Sequence, residues 1–176
     1  MSPTELDQML STCVLFLDMT EAERAEIIPL LEVKTFDEGT PLVLEGPPDQ
    51  TLWIVLKGRC QVAKRRKAGG EKELAVLLPL DVVGEMSFFH AAPHSANVRA
   101  LEPVTACRLS HDQYALLQER GSCAANKLVA NTVRILSERL RRMDDWAADF
   151  MERAAAPEHH EEWRDFRAKL YSGWKF

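Results

Sequence analysis

Residues 84–98 read Gly84-Glu85-Met86-Ser87-Phe88-Phe89-His90-Ala91-Ala92-Pro93-His94-Ser95-Ala96-Asn97-Val98. A glycine, a lone carboxylate, a short apolar run and a small-residue segment stand between two β-rich regions. That order predicts a tight turn, one helical turn whose first N–H groups lack intrahelical acceptors, and a return strand. Such N–H groups and the helix dipole together favour an anion such as phosphate. A carboxylate accepts hydrogen bonds only and so matches a hydroxyl donor, while glycine lets backbone come close to a ligand.

Short β-like segments separated by turn residues flank this stretch. Val33–Phe36 leads to Asp37-Glu38-Gly39, Leu42–Leu44 to Glu45-Gly46-Pro47-Pro48-Asp49, and Leu52–Leu56 to Lys57-Gly58. Cys60–Lys64 leads to a hairpin tip at Arg65–Gly70, and Leu74–Leu78 and Asn97–Leu109 complete the set. Strands at this spacing predict an antiparallel sandwich or barrel. The basic run Arg65-Arg66-Lys67 has no interleaved aromatic and reads as a solvated hairpin tip.

Helices are expected at both ends. Residues 3–11 form a short one with Pro3 near its start, and Thr20 with Glu23 is a capping box opening a helix from about 21 to 32. Pro29 breaks it or changes its last turn. Ser110 with Gln113 is a second capping box, for a helix over 111–119 that Gly121 ends. Val129, Val133, Leu136, Leu140, Met143, Ala147 and Phe150 then recur at spacings of four and three, the pattern of a heptad seam. A helix of about 30 residues overruns a small barrel, so the seam over 129–150 is expected to pair with its copy in a homodimer. Pro157 interrupts the pattern, and Trp163, Phe166, Leu170 and Trp174 form a shorter apolar stripe expected to dock on its own domain. The division is thus 1–32 N-terminal helices, 33–121 β-domain, 122–153 long helix and 154–176 amphipathic tail.

With 46% hydrophobic and 28% charged residues over 176 positions, the composition is that of a globular domain rather than a disordered chain. A formal net charge of −5 gives no global basic field for nucleic acid or acidic membrane. Residues 1–12 show no signal-peptide pattern, and no apolar run approaches the roughly 18–20 residues of a membrane span. Cys13, Cys60, Cys107 and Cys123 are dispersed without a CxxC pair, so small buried thiols in a reducing cytoplasm are expected. His90 and His94 stand four apart with Pro93 between them and no third ligand, so no metal site is expected. There is no G-x-S-x-G elbow and no P-loop, so no catalytic residues are assigned and the chain is not expected to be an enzyme.

Phe36-x-x-Gly39, Glu45-Gly46, Leu52-Trp53-Ile54-Val55-Leu56-Lys57-Gly58-Arg59, Gly84-Glu85-Met86 and Ser95-Ala96-x-Val98-Arg99-Ala100 carry a resemblance. From about Val14 to Met143 the chain resembles the cyclic-nucleotide-binding domain shared by the catabolite activator protein family, kinase regulatory subunits and gated channels. The resemblance implies a mainly β fold, a jelly-roll-like β-roll flanked by short helices and one long C-terminal helix. It implies that residues 84–98 are the phosphate-binding cassette, with a cyclic nucleotide (cAMP or cGMP) as ligand. Gly84 would make the tight turn, Glu85 would accept the ribose 2′-hydroxyl, Met86 and Ser87 would give backbone or pocket contacts, and Ser95 and Ala96 would lie beside the phosphate. The long helix would lid the base, which brings Arg139, Leu140 and Met143 into consideration and makes Arg139 a candidate ligand residue.

Three positions depart from the family pattern. His94 stands where the family has arginine, whose guanidinium is a permanent two-pronged donor to phosphate oxygens. A charge-assisted hydrogen bond contributes about 1.5–3 kcal/mol, so the exchange is expected to weaken binding about ten- to 150-fold. Leu80 stands where the family often has glycine, and Val83 where it often has phenylalanine. A helix-turn-helix is not expected, since about 25 residues follow Met151 and they include Glu158, Glu161, Glu162 and Asp165. The reading is a regulatory sensor acting through dimerisation or an unidentified protein partner rather than through DNA. The alternatives are a ligand-free domain serving as a dimerisation scaffold, and a pocket for a different anionic ligand.

Overall fold

A computed structural model describes residues 1–47, 49–66 and 68–153. The expected stripe of Trp163, Phe166, Leu170 and Trp174 lies outside these residues. The chain divides into two compact units, Met1–Val133 and Arg134–Phe176.

The first unit opens with α1 (Pro3–Leu10), capped by a reciprocal Ser2–Glu5 pair, and α2 (Glu21–Ile27), capped by Thr20 and Glu23. The helix expected over 21–32 is shorter: at Pro29, which has no N–H to give the α-helical ladder, Ile28–Leu30 tightens into a 3₁₀ turn. Among the described residues eight strands follow: β1 (Glu32–Phe36), β2 (Pro41–Val43), β3 (Thr51–Lys57), β4 (Cys60–Arg65), β5 (Glu71–Leu77), β6 (Val82–Val83), β7 (Asn97–Ala100) and β8 (Val104–Ser110). They form two four-stranded sheets with orders β1-β8-β3-β6 and β2-β7-β4-β5, and every pairing is antiparallel. This is the β-roll.

The run expected as one strand over Asn97–Leu109 is two. Leu101–Pro103 turns the chain, and β7 and β8 belong to different sheets. β6 was not foreseen: it is two residues long, pairs with Trp53 and Ile54, and is too short to show a period.

Between the sheets lie Leu42, Val43, Trp53, Val55, Cys60, Leu77, Val98, Ala100, Val104 and Ala106, with Phe36 edge-on to Trp53 at 5.5 Å. Along β3, Trp53 and Val55 face this core, while Leu52, Ile54 and Leu56 alternate onto the opposite face and are equally buried. A strand buried on both faces reads as a continuous apolar run, as Leu52–Leu56 does.

α4 (His111–Glu119) begins at the Ser110–Gln113 capping box, and Gly121 follows in the left-handed region at φ 66°. α5 (Cys123–Arg153) is the long helix. Within the first unit its start is clamped to the N-terminal segment. Asn131 Nδ2 donates to the carbonyls of Leu15 at 3.0 Å and Leu17 at 2.9 Å, and Lys127 Nζ donates to the Asp18 carbonyl and the Glu23 carboxylate, each at 2.7 Å. The Lys127 ammonium, with the Thr20 N–H and hydroxyl, holds the Glu23 carboxyl below its usual range. Ala124, Ala125, Leu128 and Thr132 are buried alongside. In contrast, the heptad residues Val129, Val133, Leu140, Met143 and Phe150 are exposed.

Three of the four thiols are buried as expected, but Cys123 is exposed at the first position of α5. Among the described residues no helix is long and apolar enough to cross a membrane.

Candidate ligand-binding site

The cassette is built on a left-handed turn. Gly84 caps α3 (Glu85–Phe89) at φ 90°, ψ −2°, and a Cβ placed there would stand 2.3 Å from the carbonyl oxygen of Thr51 on β3. Both observations require glycine: the left-handed conformation disfavours side chains, and the close approach leaves no room for one. Just upstream, Leu80 holds φ 74° without the freedom of glycine. Its N–H donates to Val55 at 2.7 Å and its carbonyl accepts from the Cys13 thiol at 3.4 Å. The position flagged in the sequence as a glycine site therefore keeps a glycine-like backbone.

α3 is held from its far end. Gln50 donates to the Phe88 carbonyl at 3.0 Å, and the His111 N–H donates back to the Gln50 carbonyl at 2.9 Å. Phe88 is fully buried and packs edge-on against Phe89, His111 and Tyr114, joining the cassette helix to α4. On α3 itself Glu85 is 3% exposed and Ser87 is buried, whereas Met86 is 58% exposed. A helix start leaves its first N–H groups without intrahelical acceptors, so Glu85, Met86 and Ser87 offer backbone donors beside a buried carboxylate.

The return segment is fastened to the Glu45-Gly46 turn. The Gly46 N–H donates to the His94 carbonyl at 3.1 Å, and the Glu45 N–H donates to Asn97 Oδ1 at 2.8 Å. Asn97, fully buried, also donates through Nδ2 to Glu71 at 2.7 Å, and Glu71 faces Arg99 at 3.7 Å. The Glu45 carboxylate accepts from the Arg65 N–H at 2.9 Å. Asn97 was an unassigned position in the sequence motif. Its role comes from partners 52 and 26 residues away, which no local pattern reveals.

His94 is 7% exposed, Ala96 is half-buried and Ser95 is exposed. Gly84, Glu85, Met86 and Ser87 thus share one turn and helix start, while His94, Ser95 and Ala96 share the loop entering β7. Arg139 is exposed on α5 and belongs to the second unit. His90 is exposed at the end of α3, and no group of three His, Cys, Asp or Glu side chains that could hold a metal occurs among the described residues. A groove of about 240 Å³ lies elsewhere, lined by Pro3, Asp7, Glu21, Ala25 and Ile28 among others, none of them cassette residues.

The β-roll thus carries a glycine-started helix, a buried glutamate and a small-residue return loop. Residues 33–120 match the family model described as the cyclic nucleotide-binding domain, and the chain belongs to that family. The CRP-like cAMP-activated global transcriptional regulator of Mycobacterium tuberculosis is 25% identical over 147 residues, 83% of this chain and 63% of that protein. The chain therefore spans less than two thirds of that relative. A cyclic nucleotide-binding domain from Methylobacillus flagellatus superposes with a TM-score of 0.74 at 23% identity, covering 81% of this chain and 82% of that one. The regulatory subunit of a cAMP-independent protein kinase A from Trypanosoma brucei superposes with a TM-score of 0.65 at 19% identity, covering 79% and 47%.

Proposed function

We propose that this chain is a regulatory sensor module, not a catalyst, that binds a cyclic nucleotide and signals through pairing of its long helix or through a protein partner. The observation that carries the reading is Glu85: an acceptor-only carboxylate, buried, directly after a left-handed glycine at the start of the cassette helix. In this reading the N–H groups of α3 hold the cyclic phosphate, Glu85 accepts the ribose 2′-hydroxyl, and Met86 and Ser87 line the pocket. Ser95 and Ala96 stand beside the phosphate, His94 supplies the side-chain donor, and Arg139 on the long helix is a candidate contact to the base. The cAMP-activated description of the Mycobacterium relative supports the same ligand class.

Ligand acts by favouring one of two positions of the long helix, since a ligand shifts an equilibrium only by its differential affinity for two states. The net charge of −5 favours output through protein rather than DNA. Three buried free thiols suit a reducing, cytoplasmic compartment.

One observation favours a second reading. His94 is buried where the family has arginine, and an imidazole cannot make a two-pronged, permanently charged contact. The same fold occurs in a kinase subunit described as cAMP-independent. In the second reading the domain is a dimerisation scaffold, or takes a different anion in the same place.

Calorimetric titration with the adenine and guanine cyclic monophosphates, on the unaltered chain and on His94→Arg, separates these readings. Micromolar binding by the unaltered chain is the expected result. Binding by the variant alone would mean an intact pocket silenced at one position. Silence from both folded proteins would overturn the sensor reading in favour of the scaffold.

A further inference from the structure

β5 lies at the edge of its sheet: the order β2-β7-β4-β5 gives it one strand neighbour among the described residues. An edge strand leaves alternate backbone N–H and C=O groups unpaired, a template for a further strand. Large apolar side chains stand open along this one. Leu74, Val76 and, just past its end, Leu78 are 55%, 40% and 52% exposed, while Leu77 turns into the core between the sheets. The other edges offer less. β2 and β6 are three and two residues long, Pro41 has no N–H to give, and β1 exposes a single large apolar side chain, Val33. The β5 ladder also slips by one residue at Leu74, opposite Val62 and Ala63. A bulge of this kind guards an edge against arbitrary pairing, so an occupant has to match it.

The end of β5 nearest the hairpin tip supplies the second half of the match. The tip closes where the Arg66 N–H donates to the Gly70 carbonyl at 3.0 Å. Lys64, Arg65, Arg66 and Lys72 are exposed, and none of the four side chains has an ion-pair partner among the described residues. The carboxylates around them are already engaged: Glu45 by the Arg65 N–H, Glu71 by Asn97 and Arg99, and Glu73 by Gln61. In a chain of net charge −5 this is a local surplus of cations. Apolar side chains at one end of the edge and unmatched cations at the other define the occupant. Every strand pair in both sheets is antiparallel, so the part of an added strand that lies beside the tip comes last.

We infer that the edge of β5 takes an extended segment of a protein partner as an added antiparallel strand. That segment alternates apolar residues and ends in acidic ones, which meet Lys64, Arg65, Arg66 and Lys72. Main-chain hydrogen bonds supply affinity in strand addition and the alternate side chains supply specificity. The inference does not depend on nucleotide binding.

The probe is a synthetic peptide, Thr-Val-Thr-Val-Thr-Val-Asp-Glu-Glu, added to the full chain at low ionic strength, since exposed ion pairs are screened by salt. Amide hydrogen exchange reads the result. Saturating peptide should slow exchange within Glu71–Leu77 about tenfold or more, and a peptide N-methylated at alternate residues should not. Lysines in place of the acidic end should weaken binding about tenfold, and Arg66→Glu with Lys72→Glu should invert that preference. Leu74→Lys with Val76→Lys, checked for folding by circular dichroism, should abolish binding. Unchanged exchange in β5, or equal affinity for the acidic and lysine peptides, would overturn the inference. Slow β5 exchange before any peptide is added would overturn it too: a concentration-dependent slowing would make the occupant a second copy, and a concentration-independent one a segment of the same chain.

Discussion

Replacing Gly84 by alanine tests whether the cassette turn is held by close packing as well as by backbone conformation. At φ 90° an L-residue meets the left-handed penalty, about 1–2 kcal/mol. The added Cβ would also stand 2.3 Å from the Thr51 carbonyl oxygen. That oxygen belongs to β3, which is paired on both sides by β8 and β6 and cannot swing away as a side-chain tip would. Overpacking of this kind costs about 1–3 kcal/mol. The sum is about 2–5 kcal/mol, a large share of the roughly 5–15 kcal/mol that holds a domain folded.

Gly39 is the control. It sits at φ 79° with nothing within 4 Å of its absent Cβ, so Gly39→Ala should cost the conformational penalty alone. Urea unfolding reads both: with a slope of about 2 kcal/mol per molar, Gly84→Ala should lower the midpoint by about 1–2.5 M, and Gly39→Ala by about 0.5–1 M. Equal shifts for the two variants would refute the claim that contact with β3, rather than the turn alone, requires glycine at 84.

Three further outcomes concern the turn at Leu80 and the four thiols. Leu80→Gly relieves a left-handed leucine, about 1–2 kcal/mol, and this offsets the greater freedom of glycine in the unfolded chain and the loss of a half-buried side chain. Its urea stability should stay within about 1 kcal/mol of the unaltered chain, and a loss above about 2 kcal/mol would show that side-chain packing, not backbone, sets this turn. Burial pushes the thiols of Cys13 and Cys60 up to about 11 and that of Cys107 up to about 12, from an ordinary 9.0. The unfolded chain releases these protons first, so stability should fall as pH rises from about 9 towards 11–12, which thermal unfolding across that range reads. A thiol reagent at neutral pH should label Cys123 alone in the folded chain and all four cysteines after denaturation. Rapid labelling of all four in the native state would contradict the burial.

Local chemistry made much of this protein legible. Thr20 with Glu23, and Ser110 with Gln113, fold as reciprocal caps because each pair spans one helical turn and needs nothing beyond it. Leu52–Leu56 read as a strand because an unbroken apolar run suits burial on both faces, and Gly84-Glu85 read as a turn and helix start because glycine there admits the left-handed backbone. The departure at Leu80 was also visible, although its left-handed backbone was not.

The remainder depends on partners distant in sequence. Asn97–Leu109 looks like one strand, but Pro103 has no N–H to continue a ladder, and the turn before Val104 sends the two halves to different sheets. Asn97 became the fastening of the cassette loop only when Glu45 and Glu71 were brought beside it. Asn131 became the clamp on the N-terminal segment only when Leu15 and Leu17 turned their carbonyls towards it. Sequence alone determined the starts of the helices, most strands, the turn and helix start at Gly84-Glu85 and the heptad spacing, because propensity, capping and periodicity act over a few residues. Tertiary structure decided which polar groups are buried and satisfied, that Cys123 is exposed while Cys13, Cys60 and Cys107 are not, and that Val129, Val133, Leu140, Met143 and Phe150 of α5 are exposed. Burial is a property of everything packed around a residue, and no short window of sequence contains it.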